Sequence, residues 1–199
     1  MPVEAADNDK RRLILSHLGD RLIVLVGMMA SGKTSVGRLL AQRLGIPFVD
    51  SDQEIEIAAK MSVPEIFTMR GEAEFRGGER RVIARILKHG PRVLATGGGA
   101  FMNEETRAGI ATRGVSIWLK ADVETLYRRA KRRSNRPLLQ NEDPEGTIRK
   151  MIEVRYPLYS LSDITIQSED GPYDATVDAL MAALMQFLTN PTLPGVHHE

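Results

Sequence analysis

This 199-residue sequence predicts an α/β fold, a parallel sheet with helices on both faces, and three observations carry that reading. Five short apolar runs are near-continuous rather than alternating, the pattern of strands buried on both faces. Helical stretches fall between successive runs, as crossover connections require. A glycine-rich segment with the spacing G-x-x-x-x-G-K-T joins the first run to the first long helix.

Residues 1–20 are mixed and weakly amphipathic through Leu13, Ile14, Leu15 and Leu18, an N-terminal extension or a short helix. The first strand, Leu22–Val26, leads through the glycine segment into a helix over Lys33–Leu44, where Val36, Leu39, Leu40 and Leu44 form an apolar face. Pro47–Val49 is the second strand. Helices over Gln53–Met69 and Glu72–His89 follow. Gly77-Gly78 loosens the second of these, each glycine costing up to about 1 kcal/mol relative to alanine. Val93–Ala95 is the third strand, then a helix over Asn103–Thr112, the fourth strand Val115–Leu119 and a helix over Val123–Arg132. Ser134-Asn135 and Pro137 break that helix. A helix over Glu145–Tyr159, the fifth strand Ile164–Ile166 and a helix over Asp174–Leu188 complete the set. From Asn190 to Glu199, two prolines, a glycine and a histidine pair mark a flexible, frayed tail.

Composition narrows the function. Hydrophobic residues make up 42% and charged residues 27%, and the net charge is +1. That is an ordinary globular balance, and it excludes binding to nucleic acid by bulk charge. There is no cysteine, hence no disulfide framework, no thiolate metal site and no cysteine nucleophile. No apolar run approaches the roughly 20 residues of a membrane-spanning helix. Met1–Lys10 is polar and acidic, unlike a signal peptide, so a cytoplasmic protein is expected. Arginine supplies 20 of the 27 basic residues. Its planar fork suits oxyanion handling, and base-composition bias in the coding DNA explains the excess equally well.

The segment Gly27-Met28-Met29-Ala30-Ser31-Gly32-Lys33-Thr34 has the chemistry of a phosphate cradle. Its spacing arises by chance in roughly one chain of this length in a hundred, and here a strand precedes it and a helix follows. The glycines let the backbone wrap phosphate oxygens with its N–H groups at a helix N-terminus. Lys33 then meets the β- and γ-oxygens, and the Thr34 hydroxyl is suited to Mg²⁺.

The second strand ends in Asp50-Ser51-Asp52. Carboxylates two apart in extended chain point the same way, into the crevice at the strands' carboxyl ends. One could serve the metal while the other accepts a hydroxyl proton, or Ser51 or Asp52 simply caps the next helix. The third strand runs into Gly97-Gly98-Gly99, which permits close backbone approach to a ligand or makes a flexible loop. Arg76 and Arg155, taken singly, are surface ion pairs as readily as ligands. Arg128–Arg136 packs six bases into nine positions, better read as a mobile lid over nucleotide phosphates than as a duplex-binding patch. The four histidines have no metal-ligand spacing.

Taken together, the phosphate loop, Asp50-x-Asp52, Gly71-Glu72-x-Glu74-Phe75-Arg76-x-x-Glu79, Gly97–Gly99, Arg136-Pro137-Leu138-Leu139 and Arg155-Tyr156-Pro157-Leu158-Tyr159 resemble the shikimate kinase family in order and spacing, over residues 20 to 189. The resemblance implies a P-loop, nucleoside-monophosphate-kinase-like fold with a five-stranded parallel sheet in the order 2-3-1-4-5. It implies a single kinase domain over 21–189, with substrate-binding helices at about 51–90 and a lid at about 131–143. The implied reaction is ATP-dependent phosphorylation of the 3-hydroxyl of shikimate, on the way to chorismate and the aromatic amino acids. The implied enzyme uses Mg²⁺ and acts as a monomer without nucleic acid or membrane.

By position, the resemblance gives ATP to Ala30, Ser31, Gly32, Lys33, Thr34, Ser35, Arg129 and Arg136, with Arg129 stacked on adenine. Shikimate falls to Asp52, Arg76, Gly97, Gly98, Gly99 and Arg155, both arginines gripping its carboxylate. Thr34 and Asp50 take the metal, Asp50 through water. Asp52, Lys33 and Arg136 are the catalytic set, Asp52 against the reacting hydroxyl. The segment Gln167–Pro172 departs from many relatives in having no arginine near the adenine. A gluconate kinase would share the phosphate loop without needing two carboxylate-gripping arginines. An ATP-switched binding module would not need Asp52, and an RNA-binding protein built on Arg128–Arg136 would show steeply salt-dependent binding.

Overall fold

The computed structural model describes residues 2–132, 143–190 and 196–197. At the centre of its sheet is β1 (Leu22–Val26). It pairs on one side with β3 (Val93–Ala95), Leu25 opposite Ala95, and on the other with β4 (Gly114–Lys120), Leu22 opposite Gly114. β2 (Phe48–Asp50) lies outside β3, and β5 (Ile164–Gln167) lies outside β4. All are parallel, in the order 2-3-1-4-5. A sixth strand, β6 (Val196–His197), extends the sheet beyond β5, with Val196 opposite Ile164. Two residues of the expected tail thus pair with a sheet edge whose backbone groups would otherwise lack ladder partners.

Alternation along each strand feeds two cores. Ile23, Leu25, Ile117, Leu119, Ile164 and Ile166 face one side, covered by α1 (Pro2–Leu18), α2 (Lys33–Leu44) and α8 (Tyr173–Thr189). Leu22, Val24, Val26, Leu94 and Trp118 face the other. There the cover is α3 (Ser51–Ala59), α4 (Val63–Ile86), α5 (Glu104–Arg113), α6 (Val123–Lys131) and α7 (Pro144–Tyr159). The N-terminal residues are helical: Ile14 and Leu18 are buried in the first core, and Arg11 Nε donates to the Leu44 carbonyl at 2.9 Å. That places a cation on the last turn of α2, where free carbonyls and the helix dipole favour one.

The sequence read one helix over Gln53–Met69, and the structure has two. α3 stops at Lys60, which takes a left-handed φ of 52°. Ser62 then opens α4 with a capping box, in which its hydroxyl accepts from Glu65 N and the Glu65 carboxylate accepts from Ser62 N at 2.7 Å. Pro64 in the first turn fits the same start. α4 then bends at Gly71, whose φ of 80° and ψ of 169° suit glycine alone. That bend falls in the break expected between the helices Gln53–Met69 and Glu72–His89, while the Gly77-Gly78 pair, expected to loosen the second helix, stays helical.

From β1 the chain crosses to β2 on one side, whereas from β3 it crosses to β4 on the other. The crevice beyond the carboxyl ends of β1 and β3 is therefore the topological switch point, where such sheets bind ligands.

Candidate active site

The loop after β1 lines that crevice. Gly27 has φ 136°, and a Cβ on it would lie 2.7 Å from the Leu119 carbonyl. Ala30 at φ 64° and Gly32 at φ 95° complete the turn into α2. A left-handed alanine is backbone strain of the sort that ligand-binding loops hold. Lys33 is 8% exposed, and its Nζ donates to the carbonyls of Gly27 at 2.8 Å and Met28 at 2.7 Å, so the cation sits inside the loop's curve. Ser31 is fully buried, and its N–H is hydrogen-bonded to Met28 O.

In the first turn of α2, Thr34 Oγ1 donates to Asp50 Oδ2 at 2.9 Å. Asp50 Oδ1 accepts from Asp52 N at 3.0 Å and so caps α3. The capping role weighed for Ser51 or Asp52 therefore belongs to Asp50. Ser51 is fully buried, its hydroxyl accepting from Gly97 N at 3.0 Å and tying β2 to the glycine triplet. The Asp52 carboxyl is pushed up to about 6 by burial and by the neighbouring Asp50 and Glu79 carboxylates, against the pull of Lys33.

Glu79 is 2% exposed and sits one turn beyond Arg76, whose NH1 donates to Glu79 Oε2 at 2.8 Å. Arg76 also meets Glu72 Oε1 at 3.2 Å and lies over Gly99, where a Cβ would collide with its guanidinium. Burial pushes Glu79 up despite Arg76. Burial alone would lower Arg76, yet its two carboxylates leave it raised. From α7, Arg155 NH1 reaches the Gly98 carbonyl at 3.3 Å, and the Tyr159 hydroxyl donates to the same oxygen. Asp52 Oδ1 and Glu79 Oε1 are buried and have no hydrogen-bond partner among the described residues.

On the far side of the loop, Arg129 of α6 donates to Ser168 Oγ at 2.9 Å, to Asp170 Oδ1 at 3.1 Å and to the Glu169 carbonyl. Ser168 Oγ in turn donates to Ser31 O at 2.8 Å. The segment after β5 lacks an arginine of its own and takes one from α6. Tyr173, at the start of α8, comes within 3.3 Å of where a Gly32 Cβ would stand.

A cavity of about 630 Å³ brings these groups together. Ala30, Gly32, Lys33, Thr34, Ser35, Asp50, Asp52, Arg76, Gly97, Gly98, Gly99, Arg129 and Arg155 all line it; Ser31 stands behind. Arg136 and most of the expected lid lie outside the described residues. The sequence reading quoted Glu79 and Tyr159 within the resembling motifs but gave them no role, and it gave none to Ser168 or Tyr173. Glu79 had a usable signal, because three residues beyond Arg76 on a helix puts it on the same face. Tyr159 had one too, four residues beyond Arg155.

The family model described as shikimate kinase matches residues 29–185. A shikimate kinase of Bradyrhizobium diazoefficiens is 55% identical over 188 residues, 94% of this chain and 89% of that protein. The solved structure "Shikimate kinase from Acinetobacter baumannii in complex with shikimate" is 37% identical with a TM-score of 0.79, covering 90% of this chain and 99% of that one. A gluconokinase structure from Sinorhizobium meliloti, at 17% identity and a TM-score of 0.58, covers 86% of this chain and 95% of its own, and shares the fold alone. A family model matched over residues 29–185 and a relative 55% identical across 94% of the chain place this protein in the shikimate kinase family.

Proposed function

We propose that the protein transfers the γ-phosphoryl group of ATP to the 3-hydroxyl of shikimate, giving shikimate 3-phosphate and ADP, in the route to the aromatic amino acids. One observation carries the reading. Arg76 and Arg155 flank Gly98-Gly99 in the same cavity as Asp52 and the phosphate loop, so an anionic polyol held by its carboxylate can reach the nucleotide. A gluconate kinase shares the fold, but the likeness at 17% identity supports nothing about substrate.

In this reading Ala30, Ser31, Gly32, Lys33, Thr34 and Ser35 hold the nucleotide phosphates. The Lys33 cation turns from its loop carbonyls to the β- and γ-oxygens. Arg129 hydrogen-bonds through its edge, which leaves the guanidinium face for the adenine ring. Arg76 and Arg155 grip the shikimate carboxylate against Gly97, Gly98 and Gly99. Asp52 Oδ1 meets the 3-hydroxyl and accepts its proton as that oxygen bonds to phosphorus and the bridging P–O bond to ADP breaks. Arg136 steadies the transferring group.

The Thr34 hydroxyl and the Asp50 carboxylate, 2.9 Å apart, are hard oxygens of the sort Mg²⁺ takes. Among the described residues no three His, Cys, Asp or Glu gather into a closed cage, which fits an ion that shares its shell with phosphate and water. Bound there, Mg²⁺ would neutralise charge on the β- and γ-oxygens. No helix among the described residues is long and apolar enough to cross a membrane. The test is ADP release coupled to an optical assay, offering shikimate and gluconate in parallel. Turnover with shikimate alone is expected; turnover with gluconate, or with neither, overturns the assignment.

A further inference from the structure

Gly98 is wedged between two halves of the site. A Cβ on it would lie 3.3 Å from Met29 N, 3.5 Å from Arg155 NH1 and 3.6 Å from Gly27 O. Its carbonyl oxygen receives two donors from one helix: Arg155 NH1 at 3.3 Å and the Tyr159 hydroxyl. Arg155 and Tyr159 are four residues apart on α7 and so share a face.

Tyr159 is fully buried. Its ring packs against Trp118 at 5.8 Å, Tyr156 at 6.2 Å and Phe101 at 6.4 Å between centroids. A phenylalanine would fill this space as well. The hydroxyl therefore has a role beyond packing, since a buried O–H is unfavourable unless it is hydrogen-bonded. Burial also raises its pKa, so it remains a donor.

We propose that Tyr159 is a positioning residue for substrate recognition: its hydroxyl pins the Gly98 carbonyl and thereby fixes both the glycine peptide plane and the Arg155-facing side of the carboxylate cradle.

 The peptide unit is planar with C=O and N–H pointing opposite ways, so holding the Gly98 oxygen also sets the direction of the Gly99 N–H. Without the hydroxyl, Arg155 alone would hold that carbonyl, and its guanidinium would be drawn toward the glycine and away from the substrate carboxylate. The proposal rests on the shikimate reading above.

The experiment compares wild type, Tyr159→Phe and Tyr156→Phe, with KM measured separately for shikimate, for its carboxamide and for ATP. Tyr156 is a fair control, because it is on the same helix and donates its own hydroxyl to Ala121 O. Tyr159→Phe is expected to raise the shikimate KM about 3- to 12-fold, the worth of one hydrogen bond. Its ATP KM should stay within about twofold, and its preference for shikimate over the carboxamide should narrow. Tyr156→Phe should leave all three values near wild type. An unchanged shikimate KM in Tyr159→Phe, an equal rise for shikimate and carboxamide, the same rise in Tyr156→Phe, or a Tyr159→Phe protein that does not fold would each overturn the proposal. A wild-type protein that does not phosphorylate shikimate would instead overturn the activity itself.

Discussion

Asp52 Oδ1 and Glu79 Oε1 crowd the same space above Gly97, where a Cβ would lie 2.7 Å from the first and 2.5 Å from the second. Burial first, and then the neighbouring Asp50 and Glu79 carboxylates, push the Asp52 carboxyl up to about 6. An acid whose folded pKa lies above its unfolded value of 3.8 loses stability as pH rises from about 4 to 6, because the folded state must give up a proton it holds more tightly. Asp52→Asn is therefore expected to be inactive yet more stable than wild type at pH 8, by up to about 3 kcal/mol. The advantage should vanish below about pH 4. Urea unfolding at both pH values, in chelator, checks it; a variant less stable at pH 8 contradicts the electrostatics.

Thr34 and Asp50 are joined by a hydrogen bond, so the two oxygens proposed for Mg²⁺ are held close together. Asp50→Ala removes one and leaves Asp52 N without its cap. The expected outcome is a large rise in the Mg²⁺ concentration needed for half-maximal activity, with a loss of about 1 kcal/mol from the missing cap. Magnesium titration at fixed ATP measures the first effect, and thermal unfolding measures the second.

Lys33→Ala should reduce kcat by at least about 100-fold while the protein still folds, because a preorganised charge on the phosphates is lost. Shikimate binding in the absence of nucleotide should survive. Near-normal turnover in a folded variant would remove the phosphate-loop assignment.

Arg76 and Arg155 should differ in a way that activity alone would hide. On the proposed reading, either change to alanine removes a charge-assisted hydrogen bond to the substrate, about 1.5–3 kcal/mol, and should weaken shikimate while sparing ATP. Arg76→Ala also strands the buried Glu79 carboxylate. It should therefore melt well below Arg155→Ala, and adding Glu79→Gln should recover much of the difference. Equal melting temperatures for the two single variants would mean that Glu79 does not depend on Arg76.

Ser168→Ala deletes the hydroxyl that links Arg129 to the phosphate-loop carbonyl of Ser31. Its expected signature is a rise of about 3- to 10-fold in the ATP KM with the shikimate KM unchanged, the reverse of the Tyr159→Phe pattern. Steady-state kinetics with each substrate varied in turn separates the two.

What the sequence made legible follows from where each constraint acts. The loop Gly27–Thr34 must place glycines at fixed spacing for its backbone to turn, so one dimension carries the information. The strands are equally visible, because burial on both faces leaves continuous apolar runs. The boundary between α3 and α4 was hidden by an unbroken helical rhythm, although Ser62-x-x-Glu65 announced it. Glu79 was visible as a letter and invisible as a charge, since only folding takes it out of water. Tyr159 and Ser168 act on carbonyls 61 and 137 residues away, and no local pattern encodes such contacts.

The chain has a single tryptophan, Trp118, and β4 delivers its indole to the underside of the phosphate loop, with Cδ1 3.3 Å from where a Gly27 Cβ would stand. Its ring also meets Tyr156 edge-on at 4.8 Å. The unlabelled protein thus contains an optical probe directly beneath the phosphate loop. Emission excited at the red edge comes from this one ring, 5% exposed, so spectral changes on adding nucleotide or acceptor report the loop itself rather than an average over the molecule.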